Sequence, residues 1–201
     1  KINDFGIECS DTFGVLSGDA VKEGPSGHGY QYVKFENHID GDFSNGITFF
    51  EAQLEAMERC WQGKRGYLTT ITSAEENEMI LSIIPEADRT PNGKFYNFIG
   101  WIGGSDAQNE GSWQWIEGPD LGTAFWNGGS ATMGGAAIDG VYNNWYCDTS
   151  SSIWPYCEPN DSVGGAGQDC LNMYGDGTWN DVSCSIRANA YIVEFGDDVI
   201  E

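Results

Sequence analysis

Glu158-Pro159-Asn160, then Asp169-Cys170, then Trp179-Asn180-Asp181 with Cys184 close behind: the rest of the chain is interpreted outward from these runs. Glu, Asn, Asn and Asp present hard oxygen donors on two segments, with a cysteine pair beside the second. Ca²⁺ takes six to eight such oxygens in a flexible arrangement. The carboxylates of Glu158 and Asp181 match a divalent charge, and the amides of Asn160 and Asn180 add neutral donors. Pro-Asn and Asn-Asp are also ordinary turn formers. Both motifs, in order and around two cysteines, are much harder to obtain by chance than either alone.

The 201 residues are enough for one domain with a sizeable core, and 40 % hydrophobic residues with eight Trp, nine Tyr and ten Phe argue that it folds. Twenty-eight Gly and only 20 % charged residues imply many turns and long loops. A formal net charge of −22 repels nucleic acid, anionic membrane surfaces and polyanionic glycans, and makes a divalent cation the natural counter-ion. A solvated acidic surface in a salty or calcium-rich setting is the plainer account of the same charge. Six cysteines suggest an oxidising compartment. No zinc pattern is present: there is no C-x-x-C, and the only histidines are His28 and His38. The chain begins Lys-Ile-Asn without a signal-peptide pattern, and no apolar run approaches a membrane span. It therefore reads as a mature or excised module, at the cell surface or outside the cell.

Residues 1–29 are rich in Gly, Asp and Ser and are expected to form an N-terminal arm packed on a domain spanning 30–201. Tyr30 to Glu36 is a strand candidate. Thr48-x-x-Glu51 is a capping box, and Phe50, Leu54, Met57 and Trp61 follow at helical spacing, which predicts a helix over about 48–61. Tyr67 to Ile71 reads as a strand. Thr72-x-x-Glu75 opens a second helix with Met79, Ile80, Ile83 and Ile84 on its apolar side, stopped by Pro85. Strands are predicted at Phe95–Gly103, Ser112–Ile116, Leu171–Tyr174 and Ala190–Phe195. The stretch from Pro119 to about Ser152, with Gly-Gly at 128–129 and 134–135, reads as a loop too long for a mere connector. Helices early and strands late make an α+β domain the economical class.

From about Tyr30 to Phe195 the chain resembles C-type lectin-like domains. Gly66-Tyr67-Leu68-Thr69-Thr70-Ile71 with Ser73-Ala74-Glu75-Glu76-Asn77 is similar to the strand and second helix of that family. Trp101-Ile102-Gly103-Gly104 resembles its Trp-Ile-Gly-Leu core strand, Trp113 and Trp115 fit the strand after it, and Asn144-Trp145 precedes the sugar motif as in the family. Core packing accounts for Trp101, Trp145 and one face of the Trp113/Trp115 strand. The Phe125-Trp126 loop, the Gly-Gly insertions and the ending Tyr191-Ile192-Val193-Glu194-Phe195-Gly196 look like the bacterial branch, where such a domain is often the ligand-binding module of a large calcium-dependent RTX-type adhesin.

The resemblance implies a C-type lectin-like fold: two helices, small antiparallel sheets and a long calcium-binding loop region. It implies a primary Ca²⁺ held by Glu158, Asn160, Gln168, Asn180 and Asp181, with a cis Glu158–Pro159 bond. It implies an accessory Ca²⁺ near Asp106, Glu110, Asp161 and Asp169, for which an exposed acidic turn is the alternative. Sugar hydroxyls would meet Glu158, Asn160 and Asn180, with Trp154 and Tyr156, and Trp126 beyond them, as aromatic extensions. The Glu-Pro-Asn order implies equatorial vicinal diols of mannose-, fucose- or glucose-type sugars on cell-surface glycans, serving adhesion as a module of a larger chain without membrane insertion. Disulfides are expected between Cys170 and Cys184 and between Cys147 and Cys157; Cys9 and Cys60 are left paired or free, because Val193 stands where animal members place the partner of the first-helix cysteine. Gln168 stands where sugar-binding members carry Glu and brings no charge. An enzyme is not expected, since the paired carboxylates that would serve a glycosidase are those assigned to calcium. A protein-, peptide- or ice-binding lectin-like module is the rival reading.

Overall fold

The computed structural model describes residues 20–35, 46–89, 98–150, 155–161 and 167–196. In chain order the elements are β1 (Lys22–Glu23), β2 (Gly29–Lys34), α1 (Phe49–Met57), β3 (Cys60–Trp61), β4 (Lys64–Leu68), α2 (Ala74–Ile83) and a turn of helix α3 (Glu86–Arg89). Then follow β5 (Phe98–Ser105), β6 (Ser112–Trp115), β7 (Ala124–Asn127), β8 (Ala136–Ala137), β9 (Cys147–Asp148), β10 (Tyr156–Cys157), β11 (Cys170–Tyr174), β12 (Trp179–Val182) and β13 (Ala190–Phe195). The class is α+β, as expected.

The first and last strands close on each other. β13 pairs antiparallel with β2 over its whole length and with β4 on its other side, so all six of its residues are buried. A parallel contact, Tyr191 to Trp101, joins it to β5, which leads on through β6 and β7 to β8. β11 pairs with β5 and with β12, and this second ladder carries the loops described below.

Two apolar clusters fill the domain. One gathers Trp113, Trp115, Phe125, Trp145 and Trp179, with Trp113 edge-on to Trp145 at 4.9 Å and Trp115 edge-on to Trp179 at 5.5 Å between ring centres. Both tryptophans of β6 lie on its one buried face, as expected. The other cluster sets Phe49 of α1 edge-on to Trp101, whose indole N–H donates to the Ile47 carbonyl at 2.8 Å.

Both helices depart from their sequence reading in instructive ways. The capping box at Thr48 and Glu51 is present, but α1 ends at Met57 and Trp61 lies in β3. The buried residues of α1 are Phe49, Ala52 and Ala56, while Phe50 and Leu54 of the large apolar series are 59 % and 64 % exposed. Close approach explains this: a Cβ on Gly66 of β4 would stand 2.6 Å from the Ala56 carbonyl oxygen, so only small residues fit that face. In α2 the cap moves one residue on, to Ser73, whose hydroxyl accepts from Glu76 N–H, while the Glu76 carboxylate accepts from Thr72 N–H. The long loop after Pro119 is partly ordered as the β7–β8 ribbon.

A candidate calcium and diol site

Trp179 fixes the geometry. Its N–H donates to the Asn144 carbonyl and its carbonyl accepts from Tyr146 N–H, while the Tyr146 carbonyl accepts from Glu158 N–H at 2.8 Å. The Trp-Asn-Asp strand β12 thus holds the Asn144–Tyr146 segment, which holds Glu158. The Cys147–Cys157 disulfide joins β9 to β10 immediately before Glu158, and Cys170–Cys184 links β11 to the segment after β12. Both pairs match expectation. Cys60, left paired or free by the sequence, is disulfide-bonded; Cys9 lies outside the described residues, as does Trp154.

Glu158–Pro159 is cis, as the resemblance implies. Beyond it the chain turns so that the Asp181 carboxylate accepts from Asn160 N–H at 3.0 Å and from Asp161 N–H at 2.7 Å. The Asn160 amide donates to Glu158 Oε2. Glu158 Oε1 and Asn160 Oδ1 are buried and have no hydrogen-bond partner. Burial, reinforced by the Asp181 charge, pushes the Glu158 carboxyl up to about 9, and burial raises Asp181 as well. Asn180 sits beside them on β12, paired across the ladder with Asn172 and buried.

The accessory residues converge next door. Pairing of Cys170 with Ser105 brings Asp169 to Asp106, whose N–H donates to the Asp169 carbonyl. Asp106, Glu110, Asp161, Gln168 and Asp181 line one cavity of about 40 Å³, closed by Trp113, Pro159 and the Gly128-Gly129 turn. Burial pushes Asp106 up to about 7, and its Oδ1 is buried without a partner. Burial, then the charges of Asp161, Asp169 and Asp181, raises Glu110. Gln168 N–H donates to Asp161 Oδ1 at 3.0 Å.

Among the described residues no group of three or more His, Cys, Asp or Glu side chains is set to hold a metal by itself. The donor set here is mixed, carboxylates with amide oxygens, and its acceptor oxygens without partners are the kind of group a hard cation satisfies. The residues present therefore fit Ca²⁺. Tyr156 is 37 % exposed. Trp126 is not available to a ligand: it is buried, its indole N–H donates to the Gly129 carbonyl at 2.9 Å and its ring meets Trp145. Sequence reasoning missed Trp113, Tyr146 and the Gly128-Gly129 wall as parts of the site. The Gly-Gly dipeptide in an overlong loop was the available signal.

Comparison with known proteins shows the family. Halomucin of Haloquadratum walsbyi is 31 % identical over 170 residues, which is 85 % of this chain but 1 % of that protein. An alpha-N-acetylgalactosamine-specific lectin of Patiria pectinifera is 29 % identical over 154 residues, 75 % of this chain and 69 % of that one. The solved structure of an EPNH mutant of CEL-I superposes with a TM-score of 0.54 at 20 % identity, covering 88 % of this chain and 94 % of that one, and shows the shared fold. The sequence profile of the Lectin C-type domain matches residues 51–193, more than half of the chain. The chain is a member of the C-type lectin domain family.

Proposed function

We propose that the chain is a calcium-dependent carbohydrate-binding module that recognises equatorial vicinal diols of mannose-, fucose- or glucose-type sugars. The observation that carries this is the pair of buried acceptor oxygens without partners, Glu158 Oε1 and Asn160 Oδ1, flanking Pro159 and held against the Asp181 carboxylate. Glu158, Asn160, Gln168, Asn180 and Asp181 would hold a Ca²⁺, which supplies a positive centre for one lone pair of each hydroxyl. A sugar hydroxyl offers one proton and two lone pairs. Glu158 takes the proton of one hydroxyl, and the Asn160 and Asn180 amides donate to lone pairs. To do so Asn160 exchanges its present bond to Glu158 for one to the sugar. The exposed Tyr156 ring offers an apolar face for the sugar beside the diol. Asp106, Glu110, Asp161 and Asp169 would take a second Ca²⁺ that stiffens the same loops from below.

Family membership supports carbohydrate as the ligand class and binding, not catalysis, as the activity. The wider setting belongs to the same proposal: a module of a longer surface or secreted chain that adheres to cell-surface glycans, as the 1 % share of halomucin suggests.

Exchanging the roles of the two key residues tests the reading. Glu158→Gln with Asn160→Asp keeps the carboxylate count, so calcium still binds, while the donor and acceptor sides of the diol are reversed. Binding to mannose- or fucose-type glycans is expected to fall, with a gain for galactose, the preference of family members that carry Gln-Pro-Asp. Undiminished binding to the original glycan would move recognition elsewhere and put a protein-binding role first.

A further inference from the structure

Asn172 of β11 is wholly buried, 0 % exposed, and neither its amide nitrogen nor its side-chain oxygen has a hydrogen-bond partner. An asparagine amide offers two N–H donors and an acceptor oxygen, and leaving such a group unpaired inside a protein opposes folding. A leucine fills much the same space without that cost. A polar side chain kept under those conditions points to a task other than packing.

Its strand neighbours identify the group it serves. Asn172 pairs with Asn180 of β12 on one side and with Trp101 of β5 on the other. Directly opposed residues of an antiparallel pair share a face, with Cβ atoms about 4.5–5.5 Å apart, which brings the ends of two asparagine side chains within reach of each other. The Trp101 indole N–H is already given to the Ile47 carbonyl at 2.8 Å. Cys170, two positions earlier on β11, is in the disulfide to Cys184, and its own partner across the ladder is the apolar Val182. Asn180 is thus the polar side chain set against Asn172, beside an indole, a disulfide and an aliphatic group.

On the calcium and diol reading proposed above, on which this rests, Asn180 has two tasks at once. Its side-chain oxygen faces Ca²⁺ and its NH₂ faces a sugar hydroxyl. The two ends of an amide are nearly equal in shape, so packing alone does not choose between them. Reversed, the amide would turn its NH₂ to the cation and its oxygen to the lone pairs of the hydroxyl. The sugar uses one of the two N–H bonds of Asn180 and leaves the other. We propose that Asn172 is a positioning residue whose Oδ1 accepts that second N–H, so that the Asn180 amide is held with its oxygen toward the ion and its nitrogen toward the diol. The bond is unmade here and forms when the Asn180 amide turns to its ligands, as Asn160 exchanges its bond to Glu158 for one to the sugar. Asn172 itself touches neither ion nor sugar. It acts as outer hydrogen bonds do at many metal centres, by orienting a residue that binds.

Asn172→Leu and Asn172→Asp, each in the intact chain, test this by denaturant unfolding in EDTA and by retention on mannose-, fucose- and glucose-terminated glycans at saturating calcium. The Leu variant is expected to unfold at the same denaturant concentration as the native chain or a higher one, because an unpaired buried amide has been removed. Its glycan retention is expected to fall about tenfold, the scale on which loss of an outer bond to a metal-binding residue is felt. The Asp variant keeps an acceptor oxygen opposite Asn180 and is expected to restore retention. A packing role alone would give the reverse for Leu, a lower unfolding midpoint with undiminished retention, and either of those results would overturn the proposal. So would a folded Asp variant that binds as weakly as Leu. A native chain that retains no glycan in calcium would overturn the function proposed above, and this role for Asn172 with it.

Discussion

Asp181 organises its surroundings through backbone bonds before any ligand arrives. Its carboxylate oxygens accept from Asn160 N–H and Asp161 N–H, and these bonds set the turn after Pro159. In Asp181→Ala both acceptor oxygens are lost and those donors are left without partners. A loss of about 1–3 kcal/mol is expected, the cost of leaving buried donors unsatisfied, and denaturant unfolding measures it. Calcium affinity should fall with it, and an unchanged unfolding midpoint would show that the turn is held by something else. Gln168 offers the opposite experiment. It lines the shared cavity without a charge. Gln168→Glu is expected to tighten calcium binding by about 1 kcal/mol in calorimetry, the scale of a charge-assisted contact. No change would place its side chain outside the ligand set. The residues of this site were legible because Glu-Pro-Asn and Trp-Asn-Asp are each three adjacent residues, so chemistry and spacing are read together. The bond from Glu158 to Tyr146 joins main-chain atoms of distant residues and leaves no mark on side-chain identity.

Elements differ in how far composition foretells them. β13 is located correctly because a run of β-formers, interrupted only by Glu194 and flanked by Asn189 and Gly196, has few alternatives. The buried face of α1 was misjudged because size, not hydrophobicity, selects it: Ala52 and Ala56 fit against β4 where Leu54 would not. The β7–β8 ribbon rests on a similar restriction. A Cβ on Gly135 would stand 1.7 Å from the Gly129 carbonyl oxygen, which also accepts from Trp126. Gly135→Ala is expected to push the Gly128-Gly129 wall out of the cavity, costing about 1–3 kcal/mol of stability as overpacking does and weakening calcium binding by calorimetry. β2 and β13 are joined by His28, whose Nδ1 lies 2.6 Å from Glu194. The Glu194 hydrogen bond raises the His28 pKa above its ordinary 6.5, against the opposing effects of burial and Lys64, with a smaller push from Glu76. A raised folded value means the contribution is fully present below 6.5 and is lost as pH rises through the folded value. The melting-temperature gap between the native chain and His28→Gln should therefore be widest in mildly acidic buffer and narrow in alkaline buffer. A gap independent of pH would remove the charge from the account.

At the scale of the molecule, an acidic chain with net charge −22 gathers Asp106, Glu110, Asp161 and Asp181 around one cavity. Mutual repulsion there opposes folding until a cation relieves it. Ligand binding stabilises the folded state by mass action, about 2.7 kcal/mol at a hundredfold excess over Kd. Millimolar calcium should raise the melting temperature and EDTA should reverse the rise; superimposable melting curves would deny the loops any metal. The fold class was legible at this scale, whereas the closure of β13 onto β2 and β4 depends on contacts more than a hundred residues apart in sequence. The central claim joins metal to sugar. Its most direct test is binding of the native chain to an array of defined glycans in calcium and, side by side, in EDTA. Retention on mannose-, fucose- or glucose-terminated glycans in calcium and its loss in EDTA is the expected result. Binding that persists in EDTA, or no glycan bound in calcium, would contradict it.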